Sequence, residues 1–447
     1  MNLKLMAVML LAGTLLASCS DEDDDNNNVE PETFNSIVDV ASGESEFSVL
    51  VEALSLTGLD DALEDEGGSF TVFAPTNAAF SDLLDELDAE SLDDIPVETL
   101  TGVLLYHVLG EQVPESSLTS GYYGTLSDGP EDDTSLSLYL DADEVMINGR
   151  SAVTDTDIMA DNGIIHIIDE VLMPLSIAGH AVANDNLSDL AGAVGKAGLL
   201  ETLSSDEGEF TVFAPVNSAF EQFLSDLDVT MDDLTQDDLT PVLLYHVMDG
   251  FIGSDDIAEG YFSTLSPAQD RDASIRVTAG DEKVMLNGFS EVILTDVVAT
   301  NGIVHVIDRV VTPLSIVDIA VGNSAFSHLV DALVKAELVD ALNGDGPFTV
   351  FAPTDEAFEE LFEVLDVSGI EEIDVDTLTD VLLSHVVSGN VASSDLSDGS
   401  VQTLNEDKML DITVGDGVMI DGDVNVILAD VQGVNGIVHV IDQVIVP

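Results

Sequence analysis

The chain has 447 residues, 45% of them hydrophobic, and it carries 88 Asp and Glu against nine Lys and Arg, for a formal net charge of −79. A field of this sign repels nucleic acid and anionic lipid surfaces, so the composition excludes nucleic-acid binding as a function. The length fits about three domains of roughly 150 residues, and the apolar content fits packed cores rather than a disordered chain.

The first 19 residues predict an export leader that ends in the single cysteine of the chain. Lys4 precedes an apolar run from Leu5 to Ala17, which is too short to span a bilayer and suits a secretory signal peptide. The run ends in L-A-S-C, which resembles the lipobox of bacterial lipoproteins and implies lipidation at Cys19. The alternative is a plain signal peptide with an incidental cysteine.

Residues 20–32 predict an acidic tether, because they begin S-D-E-D-D-D-N-N-N and charge runs of this kind are usually disordered. A second interpretation is that the run resembles the acidic export signal of Bacteroidetes-type surface lipoproteins. That resemblance implies a lipid anchor in the outer membrane, with the rest of the chain outside the cell. Acyl chains would then be the protein's only membrane contact.

Residues 33–174 predict helices first and strands afterwards. Thr33 is read as the cap of the first helix, and Asn77 is read with Thr76 as a cap of a later one. Apolar residues at helical spacing then indicate further helices, which lie near 47–54, 56–63, 78–87 and 99–106. A β-type run, Phe70–Phe73, interrupts them and is stopped by Pro75.

The second half of this region alternates apolar and polar residues, as strands do. Val145–Ile147 and Val153 flank Asn148-Gly149, which predicts a hairpin turn. Ile158–Ala160 is read as a short strand, and Ile164–Leu172 as the longest one. Helices followed by a meander of antiparallel strands indicate an α+β fold.

Two phrases recur three times along the chain. F-T-V-F-A-P starts at Phe70, Phe210 and Phe348, and N-G-I-x-H-x-I-D starts at Asn162, Asn301 and Asn435. The chain is therefore predicted to hold three copies of one domain, with boundaries at 33–174, 175–313 and 314–447. No Gly/Ser-rich or Pro-rich linker separates them, so tight seams are expected.

The paired phrases and a histidine after an apolar helix resemble the fasciclin domain. The resemblance implies a compact β-sandwich wedge with helices packed on it. It also implies an extracellular, membrane-anchored protein with a part in cell adhesion or matrix attachment. Within that family the Tyr-His region has been tied to adhesion, which makes five residues candidate ligand contacts. These are Tyr106, His107, Tyr245, His246 and His385. Ser384 stands where the third copy would need the tyrosine, which puts a shared contact there in doubt.

The remaining motif residues are read first as structural. A histidine on the apolar face of a closing strand is expected to bond backbone atoms in the core, although a metal pair or a ligand contact stays open. These histidines are His166, His305 and His439. Three residues that follow the A-P phrase are read as helix caps, namely Asn77, Asn217 and Asp355. The N-G pairs are read as turns in which glycine accepts a positive φ.

The sequence shows no enzyme signature and no well-formed metal loop. It has no G-x-S-x-G, H-E-x-x-H, phosphate-binding loop or dinucleotide fingerprint, so a non-enzymatic protein without a cofactor is expected. Asp141–Glu144 and Asp421–Asp423 are weak calcium candidates that lack the spacing of an EF-hand, and no specific metal site is expected.

The leading hypothesis is a lipid-anchored adhesion or matrix-attachment protein with an unidentified surface or matrix partner. The alternatives are a surface or periplasmic module for a glycan or lipid, and an acidic structural spacer.

Overall fold

The computed structural model describes residues 34–205, 208–280, 283–415 and 417–447. The predicted leader and tether, with Cys19 and Thr33, lie outside the described residues. Residues 35–447 form one compact unit. Within it the predicted α+β fold is confirmed, as the described residues form three tandem domains, each with five α-helices and a seven-stranded sheet.

Domain 1 contains helices α1 (Ile37–Gly43), α2 (Ser48–Thr57), α3 (Asp60–Leu63), α4 (Asn77–Glu86) and α5 (Val97–Tyr106). Its strands are β1 (Phe70–Pro75), β2 (Val108–Leu109), β3 (Gly121–Asp128), β4 (Ser135–Asp141), β5 (Met146–Ile147), β6 (Ser151–Ala160) and β7 (Gly163–Ile168).

Domain 2 repeats this order with α6 (Ile177–Ala183), α7 (Ser188–Ala197), α8 (Leu200–Ser204), α9 (Asn217–Leu227) and α10 (Gln236–Tyr245). Its strands are β8 (Phe210–Pro215), β9 (Val247–Asp249), β10 (Gly260–Ala268), β11 (Arg271–Ala279), β12 (Val284–Leu286), β13 (Ser290–Ala299) and β14 (Gly302–Ile307).

Domain 3 contains α11 (Ile316–Val321), α12 (Ser327–Lys335), α13 (Val339–Leu342), α14 (Asp355–Leu365) and α15 (Val375–Ser384). Its strands are β15 (Phe348–Pro353), β16 (Val386–Ser388), β17 (Gly399–Gln402), β18 (Met409–Val414), β19 (Val418–Ile420), β20 (Val424–Gly433) and β21 (Gly436–Ile441).

The two repeated phrases lie side by side at the centre of each sheet. The strand order in domain 1 is β2-β1-β7-β6-β5-β4-β3, and β1 pairs with β7 in parallel, from Phe70 opposite Gly163 to Pro75 opposite Ile168. The antiparallel meander predicted for the second half is confirmed from β3 to β7, and the early strand β1 joins it in parallel beside β7. Both strands are apolar without alternation since both of their faces are covered.

Each domain has two apolar cores, one on either side of these central strands. In domain 1 the first core lies between the sheet and the helices and contains Phe47, Leu54 and Phe80. The second contains Phe73 from β1, together with Leu138 and Ile147 from the later strands. The sheet is thus folded over its own side chains, which gives the sandwich that the resemblance implied.

The strand boundaries correct two predictions. The longest strand of domain 1 is β6, with ten residues, and the predicted short strand at Ile158–Ala160 is its last part. The strand predicted to run to Leu172 ends at Ile168. Two register shifts in β6, on either side of Asp155, carry the strand through its polar Thr-Asp stretch.

Candidate functional site

The histidine after α5 is buried in domain 1, and both of its ring nitrogens are hydrogen-bonded to the backbone. The His107 Nδ1–H donates to the Val103 carbonyl at 2.7 Å, and the Leu172 backbone N–H donates to His107 Nε2 at 2.8 Å. The ring therefore joins the end of α5 to the chain that leaves β7. Burial lowers the pKa of His107 to about 4, so the ring is neutral at pH 7.

Domains 2 and 3 build the same contact. His246 bonds the Val242 carbonyl at 2.7 Å and accepts from the Val311 N–H at 3.1 Å. His385 bonds the Val381 carbonyl at 2.7 Å and accepts from the Ile445 N–H at 2.9 Å. Burial lowers the pKa of both rings to about 4 as well.

The tyrosines beside these histidines are also interior residues. The Tyr106 hydroxyl donates to the Ser137 carbonyl at 2.7 Å and accepts from Asn148 Nδ2 at 3.1 Å. Tyr245 makes the matching bonds with Ser274 and Asn287. Burial raises the pKa of both phenols.

In the third copy, Ser384 replaces the tyrosine and makes different hydrogen bonds. Ser384 donates to the Asp380 carbonyl, and the amide of Asn405 donates to Ser384 Oγ at 3.1 Å.

The five residues predicted as candidate ligand contacts are all closed to the surface. Their exposed fractions lie between 0 and 2% for Tyr106, His107, Tyr245, His246 and His385. A surface ligand therefore cannot touch these side chains in this conformation, which corrects the expectation of direct contact. Each one is instead bonded to backbone or core groups of its own domain.

The histidines of the closing strands lie at a second site, which is the same in all three domains and separate from the site of His107, His246 and His385. His166 Nε2 bonds the Val113 carbonyl at 2.9 Å, and Nδ1 accepts from the Asp157 N–H at 3.3 Å. His305 and His439 make the matching bonds with Ile252 and Val391. Burial is the main cause that lowers the pKa of His305 and His439. The two histidines of a domain have separate partners, so no histidine pair is formed.

Asn77, Asn217 and Asp355 do not cap the helices that they begin, which corrects the prediction. Thr76 caps α4, and Asn77 is the first helical residue. Asn77 Oδ1 accepts from the Val49 N–H at 2.9 Å and thereby caps the neighbouring helix α2. Asn217 bonds the Asp189 N–H of α7 in the same way, and Asp355 bonds the His328 N–H of α12. Their spacing from the A-P phrase gave no sign of this second helix.

The asparagines of the N-G pairs are buried and hydrogen-bond two separate segments of their domain, a role that we call a clamp. The sequence interpretation missed this role. Asn162 Oδ1 accepts from the Ile37 N–H at 2.9 Å, and its amide donates to the Leu63 carbonyl at 2.7 Å. It therefore joins the start of α1 to the end of α3. Its presence at the same place in all three copies was the available signal.

The glycine of the N-G pair is needed mainly for space. A Cβ on Gly163 would lie 2.4 Å from the Phe70 carbonyl oxygen, and the same clash occurs at Gly302 and Gly436. Of the three, only Gly302 has a φ in the left-handed range, at +146°. The prediction that the N-G pairs lie at turns is confirmed, but the left-handed backbone that was its stated reason occurs only at Gly302.

The weak calcium candidates are engaged in local contacts. Asp141 Oδ1 accepts from the Asp143 and Glu144 backbone N–H groups. Asp421 forms an ion pair with Lys408 at 2.9 Å. Within the described ranges, no three His, Cys, Asp or Glu side chains are grouped so that they could hold a metal ion.

Side chains cross both seams between the domains, and the two seams share a pattern. At seam 1–2, between domains 1 and 2, Asn184 Nδ2 donates to the Tyr122 hydroxyl at 3.1 Å, and the Val298 N–H donates to Ser137 Oγ at 3.0 Å. At seam 2–3, between domains 2 and 3, Asn323 Nδ2 donates to the Tyr261 hydroxyl at 3.1 Å, and the Gln432 N–H donates to Ser274 Oγ at 2.9 Å. The domains are therefore joined by specific bonds and not by contact of their surfaces alone.

An open groove of about 440 Å³ lies at seam 2–3. It is lined by Tyr261, Ser263 and Arg271 from domain 2 and by Leu428, Asp430 and Gln432 from domain 3, among others. Arg271 also forms an ion pair with Asp395 across the seam at 2.8 Å. Most of the side chains that line the groove are polar, which suits a hydrophilic ligand better than a lipid.

The Fasciclin domain model matches residues 45–174, 185–313 and 324–447. The chain belongs to the fasciclin domain family. It is 29% identical over 426 residues to the rabbit (Oryctolagus cuniculus) transforming growth factor-beta-induced protein ig-h3, which covers 92% of this chain and 58% of the rabbit protein. It is 28% identical over 392 residues to human periostin, which covers 86% of this chain and 44% of periostin. The fasciclin chain described here thus spans about half the length of these relatives.

A bacterial relative and a solved structure extend the comparison. The cell surface glycolipoprotein MPB83 of Mycobacterium bovis is 33% identical over 145 residues, which are 31% of this chain and 60% of MPB83. The FAS1 domain pair of the insect cell adhesion molecule fasciclin I covers 61% of this chain, with a TM-score of 0.37 and 20% identity. In the part of the chain that the structure describes, no helix has the length and apolar character to cross a membrane.

Proposed function

We propose that this fasciclin protein acts in adhesion or matrix attachment at the outer surface of the cell, without a catalytic step. A lipid at Cys19 holds it in the outer membrane, as the L-A-S-C sequence of the leader indicates. The family membership of all three domains supports this, as does the likeness of one domain to a protein named as a cell surface glycolipoprotein. The partner is a surface or matrix protein or a glycan.

The observation that carries the proposal is the burial of the repeated motifs. Their histidines and tyrosines hold each domain together and lie inside it. A partner therefore meets the outward surfaces, where the three copies differ. Functional differences between the copies follow from those surfaces.

One such difference lies at the bulged strand of each domain. Domain 2 exposes Ile293 and Leu294, at 52% and 42%, and domain 3 exposes Ile427 and Leu428, at 57% and 42%. Domain 1 has Thr154 and Asp155 at the matching positions of β6. Exposed aliphatic pairs on so acidic a surface are candidate contacts for a partner.

The adhesion test uses a deletion strain that is complemented with wild type or with variants. The variant Ile293→Thr, Leu294→Asp, Ile427→Thr, Leu428→Asp copies the side chains of domain 1 onto the other two domains. We expect it to lose attachment to the native surface while it folds normally. Val364→Thr is the matched control, since Val364 is 82% exposed on α14 and away from these strands. A deletion strain that attaches as well as wild type would contradict the proposal.

Placement of the protein is tested separately. Protease treatment of whole cells should remove the fasciclin domains, and Cys19→Ser should release the protein from the membrane fraction. Intact protein after protease treatment would place it on the periplasmic side.

The groove at seam 2–3 favours a second candidate function, which is glycan binding. Its volume of about 440 Å³ and its polar lining suit a sugar better than an acyl chain. Retention of the purified protein on a defined glycan, lost in Arg271→Ala, would support this function. No retention on any glycan of an array would count against it.

A further inference from the structure

Seam 1–2 contains a buried histidine that the shared fasciclin contacts do not use. His180 lies in α6 and is 1% exposed. Its ring meets Tyr122 of domain 1 edge-on, with centroids 5.6 Å apart and planes at 65°. The same tyrosine accepts the hydrogen bond from Asn184 that joins the domains. His180 is therefore packed at the seam itself.

The hydrogen bonding of His180 differs from that of the repeat histidines. Both of its ring nitrogens are buried and neither makes a hydrogen bond of ordinary geometry with a described residue, and the backbone of Val298 is the polar group that acts on the ring. In contrast, both ring nitrogens of His107 and of His166 contact backbone groups. A buried polar group without a partner costs free energy, so a role beyond packing is expected.

The groups around the ring come from three strands and the chain after α6. Tyr122 of β3 meets the ring, and Tyr139 of β4 contacts Tyr122 with the ring centroids 5.1 Å apart and the planes tilted by 56°. Val298 of β13 offers its backbone carbonyl. Asp185, just after α6, acts on Tyr139, whose pKa is raised first by burial and then by Asp141, Asp185 and Asp143. Burial lowers the pKa of His180 to about 4, and the Val298 carbonyl opposes this only in part.

Seam 2–3 provides a natural comparison. Ile319 stands four residues after the helix-capping Ser315, just as His180 stands four residues after Ser176. Ile319 is 2% exposed, and Tyr261 packs against the apolar cluster that contains it. Both seams contain the asparagine–tyrosine and the backbone–serine hydrogen bonds, but among the described residues only seam 1–2 buries a histidine. Seam 2–3 has further polar contacts of its own, which include the Arg271–Asp395 ion pair and the hydrogen bond from Arg276 to the Gly322 carbonyl.

We propose that His180 makes seam 1–2 open as the pH falls, while Ile319 leaves seam 2–3 without this response. The neutral ring fits the closed seam, because a charged ring there would be buried with no ion-pair partner among the described residues. When the domains part, the ring meets water and binds a proton at an ordinary pKa. Acid therefore favours the open seam.

The direction and size follow from the two pKa values. Below an open-state pKa of about 6.5 the His180 ring of the open seam holds a proton, whereas in the closed seam burial lowers the pKa of the ring to about 4. The contribution of the neutral His180 ring to the stability of the closed seam is therefore complete above about pH 6.5 and is lost as the pH falls toward 4. Between pH 7 and pH 5 the opening equilibrium constant should rise about twentyfold.

Two native amides report the two seams. The Val298 N–H is bonded to Ser137 across seam 1–2, and the Gln432 N–H is bonded to Ser274 across seam 2–3. Their exchange can be read in the full chain by mass spectrometry with fragmentation to single residues. Each rate is divided by that of an unstructured peptide at the same pH, which gives a protection factor free of the intrinsic pH effect.

We expect the protection of Val298 to fall about twentyfold from pH 7 to pH 5 in wild type, and this fall to disappear in His180→Ile. That variant copies the side chain of seam 2–3, and Gln432 in the same molecule is the reference. Ile319→His is the reverse variant, and it should bring a pH-dependent loss of protection to Gln432. It also keeps the test decisive if His180→Ile does not fold.

The proposal is overturned if Val298 and Gln432 lose protection equally in wild type between pH 7 and pH 5. It is also overturned if the fall at Val298 persists in His180→Ile. A fall that follows the histidine from one seam to the other would establish it.

Discussion

Acid is expected to weaken each fasciclin domain from within, and His107 allows this to be measured in domain 1. The folded domain holds the ring neutral between two backbone groups, and burial lowers its pKa to about 4. The unfolded domain takes up a proton below about pH 6.5. The contribution of His107 is therefore complete above that pH and is lost as the pH falls toward 4.

The magnitude follows from the same two values. A shift from about 6.5 to about 4 amounts to about 3 kcal/mol once the pH is below both, and to about 2 kcal/mol between pH 7 and pH 5. That is a sizeable part of the 5–15 kcal/mol by which proteins are typically stable, roughly speaking. His246 and His385 act in their own domains by the same contact.

The assay is urea-dependent hydrogen exchange, read by mass spectrometry on peptides from β7 and β14. His107→Gln keeps an amide in place of the ring but cannot take up the proton. We expect β7 in this variant to be less stable at pH 7 and to lose about 2 kcal/mol less than wild type between pH 7 and pH 5. Peptides from β14 report domain 2, where His246 is unchanged, and are the internal reference. His328→Gln in α12 controls for the removal of a histidine from another domain.

The reasoning would be refuted by β7 amides of His107→Gln that lose as much stability on acidification as those of wild type. A response of β14 to the domain 1 variant would show that the domains do not unfold separately under these conditions.

Three further predictions concern stability, each measured by urea unfolding followed by circular dichroism. Asn162→Ala removes a buried clamp with several backbone bonds and should cost about 2–3 kcal/mol; a loss below 1 kcal/mol would contradict the clamp. Gly163→Ala should destabilise strongly because its Cβ meets a backbone oxygen, whereas Gly192→Ala, with open space in α7, should gain about 0.5–1 kcal/mol. Equal effects would refute the steric argument. Arg150→Gln should cost under about 1 kcal/mol, because Arg150 is 64% exposed in its ion pairs.

The sequence predicted the parts of the fold that depend on local pattern. The helices near residues 48–57, 77–86 and 97–106 follow from apolar spacing, and the Asn148-Gly149 hairpin follows from its turn residues. The threefold repetition strengthened the prediction of these elements, since the same pattern occurs in all three copies. These features are set by residues that are close together along the chain.

The features that it did not predict depend on partners far along the chain. β1 and β7 pair in parallel across some 90 residues, and an apolar run gives no sign of the direction of its neighbour. Asn77 bonds α2 and not its own helix, because the packing of α2 against α4 places another helix start within reach. Leu172 looked like strand sequence, yet its N–H bonds the His107 ring instead of a neighbouring strand.

The sequence predicted tight seams, but the contacts within them could not be predicted because they depend on single side chains at matching strand positions. Tyr122 lies opposite Tyr139 and Gly124 opposite Ser137, and the pattern recurs in domain 2 with Tyr261, Arg276 and Ser274. Only the structure shows that the tyrosine and the serine accept bonds from the next domain.

Domain 3 lacks the two side chains with which domains 1 and 2 accept hydrogen bonds from the domain that follows them. Ser400 stands where domains 1 and 2 have the seam tyrosine, and Met409 stands where they have the seam serine. If domain 3 were placed before domain 2, Met409 would face the Val298 N–H, and a thioether is a poor substitute for a hydroxyl acceptor. An unpaired buried N–H costs about 1–3 kcal/mol, so that order would weaken the seam. The three copies therefore share their interiors, while the residues at their seams make the domains non-interchangeable.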